Sequence, residues 1–261
     1  MGFPSDSASQ KERPLPSLTP GYAQQPEKRF CPPLQSNSFY LINYRCQRAR
    51  KHESCMWHSR AASRRRIWSR PYRLGTPVTT YFYLADQHLM QSEPTSCGLA
   101  TICLILNAAA IDPQRPWKSI WRWYDEEMLD GCLPLASVKE AGMTMDEFGC
   151  LARCNMLQAE VIRGSTLEEF RRDVMESTNS HGEKFLAACY SRSALGQVGD
   201  GHFSPIAAYT GKADELVLVL DVARYKYGSY WIPLEAMWNA LNTIDEVSGQ
   251  MRGYCLLSKT T

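Results

Sequence analysis

The chain has no apolar run near the roughly 18 residues that a membrane-spanning helix needs; its stretch from Leu99 to Ala110 falls well short. A membrane is therefore not expected among its partners. It carries no secretory signal, and its N-terminal Met-Gly is not a myristoylation signal, because Asp6 stands where Ser or Thr is required. It has no Cys-x-x-Cys block, although it has 10 cysteines, at 31, 46, 55, 97, 103, 132, 150, 154, 189 and 255. That absence argues against a zinc finger or ribbon. Cys150 and Cys154, four apart, share one face of a helix and are the candidates for metal contact. A chain of this length does not need disulfide staples, so most of its thiols are expected to be reduced and buried, in the cytoplasm.

Acidic residues are also missing in one place. None occurs from Met56 to Val78. Residues 1–75 hold 14 Lys and Arg against 4 Asp and Glu, a net +10, while residues 76–261 carry −8. The two parts are read separately. Residues 1–44, rich in Pro, Ser and Gln, are expected to be disordered. Residues 45–73 are dense in arginine, which suits a targeting leader, a nucleic-acid contact or a solvated basic tail. Translation from Met56 would give an arginine- and serine-rich, presequence-like leader and a mitochondrial protein.

What is present from residue 76 onward is an α+β domain, with helices first and strands later. Helices are expected over Leu99–Ala110, Trp117–Leu129, Ser137–Ala141, Thr144–Asn155 and from Ser165 to about Glu176. In the second of these, Trp117, Ile120, Trp121, Tyr124 and Met128 are spaced to bury one face. Thr144 and Glu147 form a capping-box pattern. Strands are expected at Val161-Ile162, Phe185–Tyr190, Phe203–Tyr209, Leu216–Leu220 and Gly253–Leu257. Ala213-Asp214-Glu215 turns one into the next as an antiparallel pair, and a helix spans Trp231–Leu241. The layout predicts a helical lobe, a sheet lobe and a cleft.

Gln91-Ser-Glu-Pro-Thr-Ser-Cys97-Gly-Leu-Ala100 sets a cysteine at a helix start, where unpaired N–H groups and the helix dipole favour thiolate. Gln91, six residues upstream, has an amide suited to an oxyanion. His202, beside the strand Phe203–Tyr209, and Asp221, ending Leu216–Leu220, meet at one sheet end if those strands pair. A histidine takes a thiol's proton, and a carboxylate fixes the histidine's tautomer. His52, His58, His88 and His181 have no comparable setting.

Gln91-Ser-Glu-Pro…Cys97-Gly-Leu-Ala, Trp117-Lys…Trp121-Arg-Trp-Tyr-Asp-Glu, Gly201-His-Phe-Ser-Pro and Asp221-Val-Ala-Arg-Tyr-Lys-Tyr together resemble the catalytic domain of the phytochelatin synthase family, over about Tyr81 to Leu257. The resemblance implies a papain-like fold, with Cys97 as nucleophile, His202 as base, Asp221 as orienting acid and Gln91 in the oxyanion hole. It implies attack on the Cys–Gly amide of glutathione, release of glycine and transfer of γ-glutamylcysteine to a second glutathione or a growing phytochelatin. No organic cofactor is expected. A heavy-metal ion (Cd, Zn or Cu) activates, mainly as a metal–glutathione thiolate substrate, and a homodimer is a further expectation. Arg224 is the expected carboxylate binder, with Glu93, Gly201, Lys226 and Tyr227 beside it, while Asp245 is read as structural. Ser96 stands where plant relatives have tyrosine, and Gly131-Cys132 where they have two cysteines. Two alternatives remain: hydrolysis of glutathione to γ-glutamylcysteine, and an inactive metal- or nucleic-acid-binding protein.

Overall fold

The computed structural model describes residues 78–131, 133–211 and 213–260. The segment 1–75, with its basic stretch, and Cys132 lie outside these residues. Six antiparallel strands form one sheet: β1 (Leu157–Ile162), β2 (Lys184–Ser191), β3 (Gly201–Tyr209), β4 (Leu216–Val219), β5 (Tyr230–Pro233) and β6 (Tyr254–Lys259), in the order β1-β6-β2-β3-β4-β5. β3 and β4 pair across the expected turn, with Ile206 opposite Val219 and a bulge before Ala208.

Both faces of the sheet are covered, which explains why β2 and β3 read as continuous apolar runs rather than alternating ones. Phe185, Ala187 and Cys189 of β2 face α2 (Cys97–Ala108) and α4 (Met145–Cys154). Leu186, Ala188 and Tyr190 face α5 (Leu167–Thr178) and α6 (Leu234–Leu241). The period of two thus feeds two cores. The architecture is α+β as expected, but the helices are not confined to one lobe: α5 and α6 back the far side of the sheet. α1 (Thr79–Asp86) and α3 (Leu135–Ala141) complete the described helices of regular α type.

α2 is apolar all round and almost wholly buried, from Cys97 to Ala108. Such a helix belongs at the centre of a domain, and here it lies against the sheet. α4 carries the expected capping box, Thr144 with Glu147. α5 carries another, Thr166 with Glu169. Phe148 of α4 stacks on Phe203 of β3, with centroids 4.7 Å apart, and so joins the helices to the strand that bears His202. Gly253 opens β6 at φ +85°, where a Cβ would meet the Ile162 carbonyl oxygen at 2.1 Å.

Two expected helices are corrected. Trp117–Leu129 is a loop with a Lys118–Trp121 bridge and a short 3-10 turn at Glu126–Met128. Asn107 takes both main-chain groups of Tyr124, each at 2.9 Å, so they have no helical partners. Tyr124 and Met128 are buried, but Ile120 and Trp121 are 81% and 70% exposed. The region Trp231–Leu241 divides into β5 and α6 at Pro233, which has no N–H to donate and favours extended backbone before it.

Phe148→Ala is expected to cost about 3–5 kcal/mol, through lost burial and a cavity between α4 and β3. Chemical denaturation followed by far-UV circular dichroism measures it.

Candidate active site

The turn that delivers Cys97 is fastened on three sides. Gln91 N–H donates to the Val222 carbonyl (3.0 Å) and Ser96 N–H to that of Glu93 (3.1 Å). Ser92 N–H donates to the buried carboxylate of Glu126 at 2.9 Å, and the Ser92 hydroxyl does so as well. Thr95 donates to the Lys139 carbonyl. Cys97 is the first residue of α2, and its N-cap, Ser96, makes no side-chain cap. The helix-end N–H groups thus stay available near the thiol.

β3 and the end of β4 bring up the other two groups. His202 and Asp221 are buried, and His202 Nε2 donates to Asp221 Oδ1 at 3.0 Å. Nδ1 is the nitrogen left for Cys97, whose thiol value the imidazole lowers. Tyr190 meets the same ring edge-on at 5.6 Å. The Cys97, His202 and Asp221 of the sequence reading are therefore brought together, His202 hydrogen-bonded to Asp221 and electrostatically coupled to Cys97.

Asp221 has no exposed surface, and it keeps its charge through further donors. Ala223 N–H and Arg192 Nη2 each donate at 2.9 Å. Arg192 is itself 3% exposed. Its Nη1 donates to Gln197 (2.6 Å), and its guanidinium lies 4.9 Å from the Tyr227 ring centroid.

Burial opposes charge on all three groups, yet each value is shifted toward the charged form. The Cys97 thiol lies below its ordinary value: burial raises it, but the charge and hydrogen bond of His202, the Phe203 N–H and Arg192 outweigh that. His202 lies above its ordinary value, since the Cys97 and Asp221 charges and hydrogen bonds overcome burial. Asp221 is held below its ordinary value by His202, Arg192 and the Ala223 N–H, again against burial. Burial instead pushes Cys103 well up, and Cys189 and Cys255 to about 12. Cys97 is thus set apart from these three as the thiol prepared to ionise.

Two cavities adjoin the site. One, about 240 Å³, reaches Cys97 and is lined among others by Thr144, Cys189, Asp200, Asp245 and Arg252. The other, about 430 Å³, holds Gln91, Arg192, His202, Tyr225 and Lys226. Pro94, Asp200 and Gly201 belong to both. Gly201 is required there, because a Cβ would lie 2.4 Å from Arg252 Nη1.

The remaining expected residues divide. Gln91 is buried in the second cavity, and its Nε2 donates to the Glu93 carbonyl at 2.7 Å and to Tyr225 at 3.5 Å. Glu93 acts through that carbonyl, with its side chain exposed. Lys226 lines the second cavity, its pKa lowered by burial and by Arg192. Tyr227 accepts from Val198 N–H (2.7 Å) beneath Arg192. Arg224 is exposed, donates to the His88 carbonyl at 3.2 Å and lines neither cavity. Asp245, read as structural, also faces the first cavity and pairs with Arg252 at 3.0 Å. Cys154 is exposed and free, whereas Cys150 is disulfide-bonded, contrary to the expectation of reduced thiols at that position. Among the described residues, no three His, Cys, Asp or Glu side chains gather as a metal-binding group, and no helix is long and apolar enough to cross a membrane.

The sequence reading missed Arg192, Arg252 and Glu126. Arg252 is 4% exposed at its side chain, and its Nη2 pairs with Asp200 at 3.0 Å. The one local signal was for Arg192, a cation directly after the apolar run of β2.

A thiol, an imidazole and a carboxylate in series, opening on two cavities, form a site equipped for acyl transfer through a cysteine. The family model described as phytochelatin synthase matches residues 53–254. The chain belongs to that family. It is 46% identical over 182 residues to the glutathione gamma-glutamylcysteinyltransferase of Schizosaccharomyces pombe, covering 69% of this chain and 44% of that protein. It is 48% identical over 181 residues to glutathione gamma-glutamylcysteinyltransferase 3 of Lotus japonicus, covering 69% and 37%. With glutathione gamma-glutamylcysteinyltransferase 1 of Arabidopsis thaliana it shares 42% over 195 residues, covering 74% and 40%. The chain thus spans less than half the length of these relatives.

The lowered Cys97 value and the raised His202 value both favour the thiolate–imidazolium pair, so kcat/KM is expected to follow a bell in pH. Its acidic limb marks loss of the thiolate, and its basic limb marks loss of the imidazolium proton. Asp221→Asn removes a charge that raises His202. Its basic limb should move to lower pH and its rate should fall by about 10²–10⁴-fold. A pH–rate profile of acyl-enzyme formation at Cys97, wild type against variant, measures both.

Proposed function

We propose that residues 76–261 form a papain-like catalytic domain that transfers γ-glutamylcysteine from glutathione to the amine of another glutathione or of a growing phytochelatin, detoxifying heavy metals. One observation carries this reading: the site opens on two cavities that share a wall, Cys97 lining one and His202 the other. A hydrolase needs a site for the donor, whereas a transferase needs room for an acceptor as well.

In this mechanism the Cys97 thiolate attacks the carbonyl of the Cys–Gly amide. The new oxyanion meets the N–H groups at the start of α2 and the Gln91 amide, which exchanges its contact with Tyr225 for it. His202 gives its proton to the leaving glycine nitrogen. Glycine departs and the γ-glutamylcysteinyl group remains on Cys97 as a thioester. His202, now neutral, removes a proton from the attacking amine and the thioester opens. Asp221 keeps Nε2 protonated throughout, so that Nδ1 does the proton transfer.

The cavities suit the two partners by charge. The γ-glutamyl end of glutathione carries an ammonium and a carboxylate. The Cys97 cavity offers carboxylates at Asp200 and Asp245 and a cation at Arg252. The larger cavity offers Lys226 and Arg192, which suit the carboxylates of an acceptor. The heavy-metal ion enters as part of the substrate, bound to glutathione thiolates, with cadmium, zinc and copper as the soft or borderline ions such thiolates hold.

Incubation with glutathione and Cd²⁺, with thiol products resolved by mass, tests the reading. Oligomers of γ-glutamylcysteine ending in glycine are expected. γ-Glutamylcysteine and glycine alone would show that water is the acceptor. Cys97→Ser should lower glycine release by about 10⁴-fold or more, and unchanged release would remove Cys97 from the chemistry.

A further inference from the structure

Cys189 is a second thiol in the cleft, and the acyl-transfer steps leave it unused. It lies on β2 directly opposite Phe203 of β3. Phe203 is the residue whose N–H holds the Cys97 thiolate. Cys97, Cys189 and Phe203 belong to the same core, on one face of the sheet. The two cysteines line one cavity, and their sulfurs feel each other's charge across it. Cys189 is free and 4% exposed. The Arg252 guanidinium stands beside it, and the buried Nε of that arginine has no hydrogen-bond partner.

We propose that Cys189 is the resolving thiol of Cys97: after a hydroperoxide oxidises Cys97, the two cysteines form a disulfide that shuts the cleft reversibly. The proposal rests on the reading of Cys97 as the nucleophile. In the first step the Cys97 thiolate attacks a peroxide oxygen. The O–O bond breaks, an alcohol or water leaves, and Cys97 becomes a sulfenic acid. In the second step the Cys189 sulfur attacks the Cys97 sulfur. The S–O bond breaks, and the hydroxyl leaves as water with the Cys189 proton. The two thiols have then given two electrons to the peroxide. Two equivalents of a small thiol of the glutathione class reverse the change and become a disulfide themselves.

The contrast between the two thiols gives each its part. Cys97 is the thiol favoured to ionise and reacts first. Cys189, pushed up to about 12, keeps its proton during turnover and does not compete for the acyl group. It reacts only when an electrophilic sulfur appears beside it, and Arg252 steadies the sulfur as its proton departs. Without a resolving partner, a sulfenic acid proceeds irreversibly to sulfinic acid under further peroxide.

The test treats the full chain with an excess of several equivalents of hydrogen peroxide, blocks remaining thiols with N-ethylmaleimide, and maps the digest by mass spectrometry. A peptide pair joining Cys97 to Cys189 is expected, with glutathione turnover reduced at least about tenfold and restored to within about twofold by dithiothreitol. Cys189→Ser and Cys189→Ala, each referred to its own starting rate, should lose turnover to peroxide without recovery and accumulate Cys97 sulfinic acid. Maleimide on Cys189 with sulfinic acid on Cys97 in the wild type would overturn the proposal, as would a disulfide from Cys97 to any other cysteine. The nucleophile reading stands or falls separately, on glycine release by unoxidised Cys97→Ser.

Discussion

A carboxylate with no exposed surface is the constraint on which this structure turns. Asp221 remains an anion inside the protein because His202, Arg192 and the Ala223 N–H all donate to it. An unpaired buried charge would cost several kcal/mol, so each donor must arrive at its place. Arg192 comes from beyond the end of β2, His202 from β3 and Asp221 from the end of β4. The antiparallel register of those strands is therefore also the register of the site. The same cluster decides the charge of Cys97, since the field of Arg192 and the proton on His202 favour thiolate over thiol.

Much of the site was legible because its members stand where elements begin or end. A cysteine at the start of an apolar run, a histidine at the edge of a strand and an aspartate just after one can be placed without knowing the tertiary structure. The strands were legible for a similar reason. Apolar runs of strand length bounded by turn residues have few alternative readings, and burial on both faces made those runs continuous. Capping boxes at Thr144 and Thr166 are local chemistry, set by residues three apart in the sequence.

The failures share a cause in partners distant along the chain. Trp117 to Leu129 has helical spacing, but Asn107 takes the main chain of Tyr124 and Trp117 binds Asp125. A side chain outside the window outbid the helical pattern. Arg192 and Arg252 look like ordinary surface cations in the sequence. They are buried because Asp221 and Asp200 lie 29 and 52 residues away along the chain and meet them in space. Arg224, expected to bind a substrate carboxylate, is exposed and lines neither cavity, while Arg192, distant in sequence, holds the Asp221 carboxylate. Proximity in sequence was a poor guide to which cation reaches which anion.

The wall shared by the two cavities carries one more consequence. Asp200 and Gly201 face both, and Asp200 also anchors Arg252. A molecule that draws on Asp200 from one side changes what Arg252 offers on the other. Thermodynamic linkage then makes the effect mutual: whatever one occupant does to the affinity of its neighbour, the neighbour does in return by the same factor. Two such sites do not fill independently, and their joint occupancy bends away from the product of two simple binding curves.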